Sequence, residues 1–582
     1  MEPQHKSVHA YSRVVVWLAA ILLGLLATAL HGARLGTLTI RGEESRRARV
    51  AYEMLETGDF VVPRQQGEIY LSRPPLGSWL IALSAAATGG FDAVSVRLPS
   101  LVATVAITLG IFAYARQFVS VVGAFAGGLA FASMIQVLEL GRMAESEAVF
   151  TALLAGALLA WHGSYAAGAR PALVWSAGYT LAALAGLAKG PQGPVYFVAV
   201  TVAFLVVRRD WGFLFSPGHL LGGLLFVLVI GAWQVPFTSA VGWDATLAIW
   251  GQNAAVRYAN PGAWAFAEHL LLFPIEVWAA MLPWSVLLVA FASPNFRREL
   301  GSARTPASFV LVAVAVTFPT CWFAIEARTR YFMPLYPCLS VLAGIVVDRV
   351  RLALPAERIS HFWLHYVRVL GLFAIGMGGV VAIATWFGLG GQSVLTQPPL
   401  FAGLYLLLSV AIGVTLVRSS PWSAGARAAA AMCLVAGFIG LSTVGLRLNE
   451  LVRKSVPTAR QVAEVKGQIP PKVKLVSLGR VHHLFAFHYS DTIRPVGWPP
   501  AAEDADFEYF CFDQHAAYPP VLPFAWQRLA DVRCDRRINS PPQMMVIVGR
   551  RLRAEERLTY HPSQAPIYEA GSAAPRRRED RL

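Results

Sequence analysis

The chain contains few charged residues. Only 14% of its 582 residues are Asp, Glu, Lys or Arg, and 56% are hydrophobic. Soluble globular proteins carry about 25% charged residues, so this composition excludes the soluble class. Apolar runs of roughly 18–22 residues recur from residue 14 to residue 447, and each is long enough to cross a hydrocarbon core of about 30 Å. The sequence therefore predicts a polytopic membrane protein.

Cysteine is also scarce. The five cysteines lack the spacing of a metal site, so the sequence indicates no metal and no required cofactor, although a divalent metal stays open. Two of the cysteines, Cys511 and Cys534, lie in the last part of the chain, which we predict below to be outside the membrane. In an oxidising compartment they could form a disulfide or remain two buried thiols, and both alternatives are open.

Acidic residues are fewer than basic residues, and the net charge is +15. An excess of this size is also found in nucleic-acid-binding proteins. Here, however, the basic residues are scattered through short loops between apolar runs, as the positive-inside rule describes. With the N-terminus inside, almost every predicted inside loop contains arginine. We therefore predict the membrane as a partner and no nucleic acid.

Hydropathy predicts about thirteen crossings. They lie at residues 14–33, 98–115, 120–140, 148–166, 172–188, 192–207, 218–238, 270–292, 307–325, 331–348, 367–388, 400–417 and 425–446. The first run is interpreted as an uncleaved anchor because many spans follow it. The apolar run Leu76–Gly90 is too short for a confident span and is predicted to be a juxtamembrane helix at the surface.

The chain is predicted to be mainly α-helical, with a small α/β domain at its C-terminal end. Residues 1–447 form the transmembrane domain, and its first outer loop spans residues 34–97. An odd number of crossings places residues 448–570 outside. Their strand candidates are Val473–Leu478, Leu484–Tyr489, Phe507–Phe512 and Met544–Val548. The polar residues 571–582 are predicted to be a disordered tail.

The predicted outer segments contain ionisable residues that insertion does not require. Arg73, Arg142, Lys189, Arg328 and Arg330 lie on the side that the positive-inside rule leaves poor in positive charge. Two explanations are open. The cations bind an anionic ligand at the outer face, or they pair with neighbouring glutamates. Because ionisable groups held at a membrane are usually functional, the ligand is the favoured explanation.

Several short motifs follow one another in a fixed order. They are Glu43-Glu44-Ser45-Arg46-Arg47-Ala48, Met54–Phe60, Arg73-Pro74-Pro75-Leu76, Arg97-Leu98-Pro99-Ser100, Gly141–Glu147, Ala188-Lys189-Gly190-Pro191 and Arg330–Pro337. Each motif alone is weak. Together they resemble the C-type (GT-C) integral-membrane glycosyltransferases, and in particular the branch of the bacterial aminoarabinose transferases and protein O-mannosyltransferases. In this chain Glu43 and Glu147 stand where the family usually has aspartate, and Arg73 stands where it usually has lysine.

The resemblance implies a GT-C fold and transfer of a sugar from a polyprenyl-phosphate donor to an extracytoplasmic acceptor. The acceptor could be a lipid A phosphate, a glycan hydroxyl or a protein Ser/Thr. It further implies a bacterial inner-membrane protein with its C-terminal domain in the periplasm. A transporter or flippase of lipid-linked sugars is the alternative. Transporters place polar residues at mid-membrane depth, whereas the ionisable residues here gather at span ends.

The resemblance also selects the site residues. The donor's phosphate gains charge as it leaves, so cations around it would stabilise the transition state. An acceptor instead needs a carboxylate that orients it or takes its proton. Glu43 is the first candidate for that role, and surface ion pairing by the start of its helix is the alternative. The candidate catalytic residues are Glu43, Glu44 and Glu147, and the candidate substrate-binding residues are Arg46, Arg73, Arg142, Lys189, Arg328, Arg330 and Tyr331.

Overall fold

A computed structural model describes most of the chain as two compact units. The described residues are 12–40, 42–255, 262–388, 396–418, 426–446, 457–491, 493–497, 507–514, 521–535, 544–552 and 567–568. Unit 1 comprises Met1–Gly36, Leu71–Leu80 and Arg97–Leu451, and unit 2 comprises Thr37–Tyr70, Ile81–Val96 and Val452–Leu582. Much of the predicted first outer loop thus belongs to the same unit as the C-terminal residues. The predicted tail at 571–582 lies outside the described residues.

Helices dominate the structure. In chain order the α-helices of the described residues are α1 (Arg13–Gly32), α2 (Glu43–Thr57), α3 (Leu76–Thr88), α4 (Ala93–Ala115), α5 (Val121–Ser133), α6 (Ile135–Leu140), α7 (Ser146–Ala166), α8 (Pro171–Lys189), α9 (Gln192–Arg208), α10 (Trp211–Leu214), α11 (Pro217–Ala255), α12 (Ala263–Ala280), α13 (Pro294–Arg298), α14 (Arg304–Trp322), α15 (Tyr336–Leu352), α16 (Arg358–Trp386), α17 (Pro399–Arg418), α18 (Ala426–Gly440), α19 (Thr458–Gln468) and α20 (His483–Tyr489). Short 3₁₀ segments lie at Trp284–Ala292, Gly301–Ala303, Thr329–Tyr331 and Met333–Leu335, and Leu441–Gly445 is a π-helix.

The predicted membrane-embedded helical architecture is confirmed, but the count of thirteen spans is not. Ten helices in the described ranges are long and apolar enough to cross a membrane, or eleven if α12 and Trp284–Ala292 form one span. That pair is bent by 114°, which hydropathy cannot detect because it measures only apolar length. The predicted span 120–140 is divided into α5 and α6, and α9 is a shorter apolar helix of 17 residues. The predicted helix after Leu76 is present as α3.

Unit 1 has a continuous apolar core whose helices approach one another closely. Gly127 of α5 lies against Gly344 of α15, where a Cβ on Gly344 would come 2.5 Å from the Gly123 carbonyl oxygen. Small residues allow such close contact between membrane helices, where dispersion forces rather than water exclusion drive packing. The large buried side chains include Trp161, Trp175 and Trp284.

Unit 2 contains a two-stranded hairpin and a six-stranded mixed sheet. The strands are β1 (Arg64–Gln65), β2 (Glu68–Ile69), β3 (Val476–Leu478), β4 (Arg494–Val496), β5 (Tyr509–Gln514), β6 (Trp526–Arg533), β7 (Met545–Arg551) and β8 (Ile567–Tyr568). The order in the large sheet is β4-β3-β5-β7-β6-β8, with β3 parallel to both β4 and β5 and the other pairs antiparallel. A small α/β fold was predicted for these C-terminal residues, and the sheet is present.

Both faces of the large sheet are buried. Tyr509 and Cys511 of β5 join a cluster with helices α19 and α20, whereas Phe510 and Phe512 join an aromatic cluster on the opposite face. Alternate side chains of a strand point to opposite faces, so a strand buried on both sides is apolar throughout. This explains why β5 was predictable from its composition. Cys511 and Cys534 are both free, buried thiols.

One predicted strand is wrong. The sequence Leu484–Tyr489 is short, apolar and rich in aromatic residues, but His483–Tyr489 is helical. It is preceded by His482, whose ring accepts a hydrogen bond from Leu484 N–H. The rings of Phe485 and Tyr489, four residues apart, stack on one helix face with centroids 5.8 Å apart. Aromatic residues four apart satisfy a helix as well as a strand, and packing decided the outcome.

Candidate active site

Charged residues from three parts of the chain come together at one end of unit 1. Glu145 and Glu147 lie at the start of α7, Lys189 is the last residue of α8, and Arg330 lies in the 3₁₀ segment before α15. We call Glu145, Glu147, Lys189 and Arg330 the charged cluster. The sequence predicted that α8 and α15 would present Lys189 and Arg330 at the same end, and in unit 1 they do.

The charged cluster is a hydrogen-bonded network with little access to solvent. Lys189 Nζ donates to Glu147 Oε1 at 3.1 Å, and the two side chains are only 2% and 4% exposed. Arg330 Nη1 donates to Glu145 Oε2 at 2.6 Å, and Arg330 Nε lies 3.6 Å from Glu147 Oε1. Pairing with neighbouring glutamates, one of the two explanations left open, therefore occurs.

A third basic residue acts on the charged cluster. Arg73 lies close enough to Lys189 to act electrostatically on its ammonium group, as Arg330 does. Burial lowers the pKa of Arg330, but Glu147, Glu145 and Tyr331 outweigh burial, so the pKa of its guanidinium is raised. Arg330 therefore keeps its positive charge beside the two carboxylates.

Aromatic rings hold the Lys189 ammonium from two sides. Its Nζ lies 5.0 Å from the centroid of the Phe150 ring and 5.4 Å from that of Tyr331. Cation–π contacts of this length are attractive, and more so away from water. Gln192 Nε2 donates to the Tyr331 carbonyl at 3.2 Å and so fixes the backbone beneath that ring. The Tyr331 ring, one of the candidate substrate-binding groups, thus lies beside the Lys189 ammonium.

The motif Ala188-Lys189-Gly190-Pro191 has a local structural reason. Gly190 has φ 112° and ψ −165°, a conformation that a side chain would make unfavourable, and it ends α8 directly after Lys189. Pro191 then starts α9. A cation in the last turn of a helix is also favoured by the helix dipole.

Two other predicted residues of unit 1 have different surroundings. Arg142 is 2% exposed, and its Nη1 donates to the carbonyl oxygen of Ala33 at 3.1 Å. Arg328 is exposed and, within the ranges that the structure describes, makes no ion pair with a carboxylate. Sequence position showed which helix end carries these arginines but not the direction in which each side chain points.

The carboxylates of the first outer loop lie in unit 2, at the N-terminus of α2. Glu43 and Glu44 occupy the first turn, where the helix dipole favours negative charge. The Glu43 side chain is 22% exposed, with Arg46 Nη1 at 3.4 Å from its Oε2. Glu44, in contrast, is 0% exposed. Of the two neighbours only Glu43 is accessible to an acceptor.

A buried polar network links α2 to the β1–β2 hairpin. Glu53 accepts hydrogen bonds from the backbone N–H groups of Gln66 (2.5 Å) and Gly67 (3.1 Å), which form the turn of the β1–β2 hairpin. Arg49 Nε lies 3.3 Å from the Glu53 carboxylate, and both side chains are buried. A charged group buried in this way is stable only because its partners are present.

Residues near the C-terminal end of the chain hold α2 and the hairpin. Gln66 Nε2 donates to the Val481 carbonyl at 2.6 Å, and Val481 N–H donates to Gln66 Oε1 at 2.9 Å. The Ser45 hydroxyl hydrogen-bonds to His483 Nδ1 at 2.8 Å and donates to the Gly42 carbonyl at 2.9 Å. His483 is therefore a positioning residue for the helix turn that carries Glu43 and Glu44.

Sequence analysis missed several residues of these two networks. Glu145 and Phe150 contact the charged cluster, and Gln66, Glu53 and His483 hold α2. Glu145 lies inside the motif Gly141–Glu147, so its charge within that motif could have identified it as a candidate. The His482-His483 pair was visible but gave no hint of its partner 438 residues earlier. Among the residues that the structure describes, no group of three or more His, Cys, Asp or Glu is arranged to hold a metal ion.

Loss of the His483 imidazole is expected to destabilise unit 2. His483→Ala removes one buried hydrogen bond to Ser45, which should lower the free energy of unfolding by about 1–3 kcal/mol. Thermal unfolding of the purified full-length protein in detergent measures this change. Arg460→Ala, which removes only a solvent-exposed ion pair with Glu464, is the matched control and should change little. Equal midpoints for the two variants would show that His483 does not support α2.

The chain is similar to several known proteins. A family described as dolichyl-phosphate-mannose-protein mannosyltransferase matches residues 72–234. The undecaprenyl phosphate-alpha-4-amino-4-deoxy-L-arabinose arabinosyl transferase of Edwardsiella ictaluri is 26% identical over 397 residues, which cover 65% of this chain and 67% of that protein. The transferase of the same name from Pseudomonas aeruginosa PAO1 is 28% identical over 319 residues, 53% of this chain and 56% of that protein. The chain thus spans 56–67% of the length of these relatives.

The fold also has a solved counterpart. The crystal structure of ArnT from Cupriavidus metallidurans bound to undecaprenyl phosphate matches with a TM-score of 0.64 and 18% identity, and covers 92% of this chain and 97% of that chain. The predicted resemblance to ArnT-like, C-type glycosyltransferases is confirmed. At 18% identity the structural match establishes the GT-C fold. The family and the relatives support the predicted glycosyltransferase, which uses a lipid-phosphate-linked sugar, over the alternative of a transporter.

Proposed function

We propose that this chain transfers a sugar from undecaprenyl phosphate or a similar polyprenyl phosphate to an acceptor outside the bacterial inner membrane. The observation that carries the proposal is the charged cluster, in which buried Lys189 and half-buried Arg330 lie at one end of a membrane bundle with Arg73 in electrostatic range. Basic residues gathered at a membrane surface are suited to an anionic ligand. The phosphate of the donor supplies one.

The chemistry assigns the cations to the leaving group. As the bond between sugar and phosphate breaks, negative charge accumulates on the phosphate oxygens. Arg73, Lys189 and Arg330 would hold that charge in a site from which most water is excluded, where electrostatic stabilisation is strongest. Because Glu145 and Glu147 fix the positions of Lys189 and Arg330 beforehand, little reorganisation is needed during the reaction. Glu147 is thus a positioning residue in this proposal.

Glu43 takes the acceptor side of the reaction. Its carboxylate is accessible and lies at a helix N-terminus, with Arg46 beside it. A hydroxyl or amine acceptor would donate a hydrogen bond to Glu43 and lose its proton to it as the new bond forms. A phosphate acceptor that is already ionised needs no base, and Glu43 would then only orient it. Buried Glu44 shapes the helix start rather than contacting the acceptor.

The protein is membrane-embedded, and we propose its orientation. The basic loops lie on the cytoplasmic side, whereas the charged cluster, the first outer loop at 34–97 and residues 448–570 lie on the periplasmic side. The distribution of arginine between alternate loops supports this orientation. Charged groups at the ends of spans, as in the charged cluster, also suit chemistry at a membrane surface.

The proposal needs no metal ion. Arg73, Lys189 and Arg330 supply the positive charge that a divalent cation supplies to phosphates in other enzymes. Transfer is therefore expected to persist in EDTA. Loss of activity in EDTA with recovery on adding Mg²⁺ or Mn²⁺ would assign part of the charge neutralisation to a metal.

Reconstituted transfer tests the proposed function. Purified protein in liposomes would receive undecaprenyl phosphate carrying 4-amino-4-deoxy-arabinose, mannose or glucose, with lipid A or a peptide as acceptor, with and without EDTA. We expect a sugar-bearing acceptor and free undecaprenyl phosphate, both detected by mass spectrometry. Lipid A and glycans from deletion and wild-type cells identify the natural acceptor. Movement of the intact donor across the bilayer without cleavage would instead establish the transporter.

A further inference from the structure

A groove opens at the other end of unit 1, between α13, α14 and α15. It has a volume of about 640 Å³, which is within the range of ligand sites. Its walls are mainly apolar and include Phe291, Val310, Leu311 and Leu342. Leu311 is 69% exposed on α14, a helix long and apolar enough to cross a membrane. The groove therefore opens toward the hydrocarbon of the bilayer.

One end of the groove is positively charged. Arg297, Arg298 and Arg304 line it and are all exposed. In the described part of the chain no carboxylate pairs with them, and the adjacent Glu299 pairs with Arg349 instead. Three guanidinium groups at one end of an apolar groove form a site for a molecule with an anionic head and a hydrocarbon tail.

The length of the groove matches one leaflet. Its lining on α14 runs from Arg304 to Val314, ten residues that rise about 15 Å along the helix. This is half of a hydrocarbon core of about 30 Å. An acyl chain beside Leu311 and Val314 would thus end near mid-membrane with its phosphate at the arginines.

The groove is separate from the charged cluster. Tyr196 near the start of α9, which follows the Lys189 turn, hydrogen-bonds to Thr320 near the end of α14. Arg304 begins α14, sixteen residues before Thr320, which places it about 24 Å farther along the helix. A ligand in this groove is therefore not the donor phosphate held at Lys189.

We propose that this groove binds one anionic glycerophospholipid of the leaflet opposite the charged cluster. Its phosphodiester contacts Arg297, Arg298 and Arg304, and an acyl chain fills the space along α14. Insertion topology alone would also place arginines at this end of the bundle. Arg170, Arg209 and Arg358 are exposed arginines that line no part of this groove. Replacing these three arginines tests whether lipid binding depends on the groove or on positive surface charge in general.

Lipid titration of the full-length protein tests this proposal. Native mass spectrometry in detergent would compare phosphatidylglycerol with phosphatidylcholine for three proteins: the wild type, R297Q/R298Q/R304Q, and the matched control R170Q/R209Q/R358Q. We expect the wild type and the control to retain phosphatidylglycerol at least about tenfold more strongly than phosphatidylcholine, and the first triple variant to lose that preference. A fourth protein, Ala307→Trp, keeps all three charges but fills the groove, and it should lose bound phosphatidylglycerol as well.

Each other outcome overturns the proposal. Equal loss in the control triple variant would mean that the lipid responds to overall charge. Retention of phosphatidylglycerol by Ala307→Trp would place the lipid elsewhere. Replacement of bound phosphatidylglycerol by equimolar undecaprenyl phosphate would make this groove a donor site. A shift in unfolding temperature on adding phosphatidylglycerol, present in the wild type and absent in folded R297Q/R298Q/R304Q, provides an independent readout.

Discussion

Glu43→Gln is expected to lower turnover at least about a hundredfold while leaving the protein folded. The glutamine retains the shape and one hydrogen-bond acceptor but cannot take a proton, and general-base catalysis typically contributes 10²–10⁴-fold. Its side chain is partly exposed, so the exchange leaves no buried group unpaired. Initial rates in proteoliposomes, with donor and acceptor varied separately, measure the effect on kcat and on each KM.

Glu44→Gln is the control for that result. Glu44 is fully buried, so its loss should reduce the yield of folded protein rather than the turnover of the molecules that fold. A defect in Glu43→Gln confined to the KM of the acceptor would make Glu43 an orienting group. Near-normal transfer by purified Glu43→Gln would remove Glu43 from the site.

The second large effect concerns Lys189. A simple Lys189→Ala variant leaves a cavity beside buried Glu147, which keeps Arg330 as its remaining ion partner, so this variant is expected to be destabilised as well as altered in charge. The double variant K189M/E147Q removes both charges at similar volume and should fold. Loss of one charge-assisted contact to phosphate is worth about 1.5–3 kcal/mol, so we expect donor use to fall roughly ten- to a hundredfold. Arg73→Gln should weaken donor use in the same direction.

The matched control lies in the same unit. Arg351 and Asp348 form an ion pair at 3.2 Å near the end of α15 that is remote from the charged cluster. R351M/D348N therefore removes two charges from unit 1 without touching the cluster, and its kcat/KM for the donor should match that of the wild type. If K189M/E147Q folds and uses the donor normally, the charged cluster is structural.

Most helices of unit 1 could be predicted because a membrane helix must satisfy its backbone internally and be apolar along its length. Hydropathy records that length but not direction. It therefore read α12 and Trp284–Ala292 as one span, although the chain bends by 114° between them. The division between α5 and α6 escaped for the same reason, since both pieces are apolar.

The site was predictable only in part. Lys189 and Arg330 could be placed together because motifs mark the ends of their helices, and alternate crossings bring those ends to one side. Arg142 occupies the same kind of position, yet its side chain turns to a backbone carbonyl. The direction in which each side chain points depends on packing, which the spacing of residues along the chain does not determine. The partners of Ser45 and Gln66 are more than 400 residues away and could not be inferred locally.

This separation has a consequence for synthesis. Ser45 and His483 are 438 residues apart, and Gln66 and Val481 are 415 apart. At 5–20 residues per second, the helix that carries Glu43 leaves the ribosome roughly 20–90 s before its partner. During that interval Arg49 and Glu53 lack the enclosure that the finished unit gives them. We expect the nascent first loop to be open to chaperones and proteases during that time, and a chain truncated before residue 480 would lack the hydrogen-bond partners of Ser45 and Gln66.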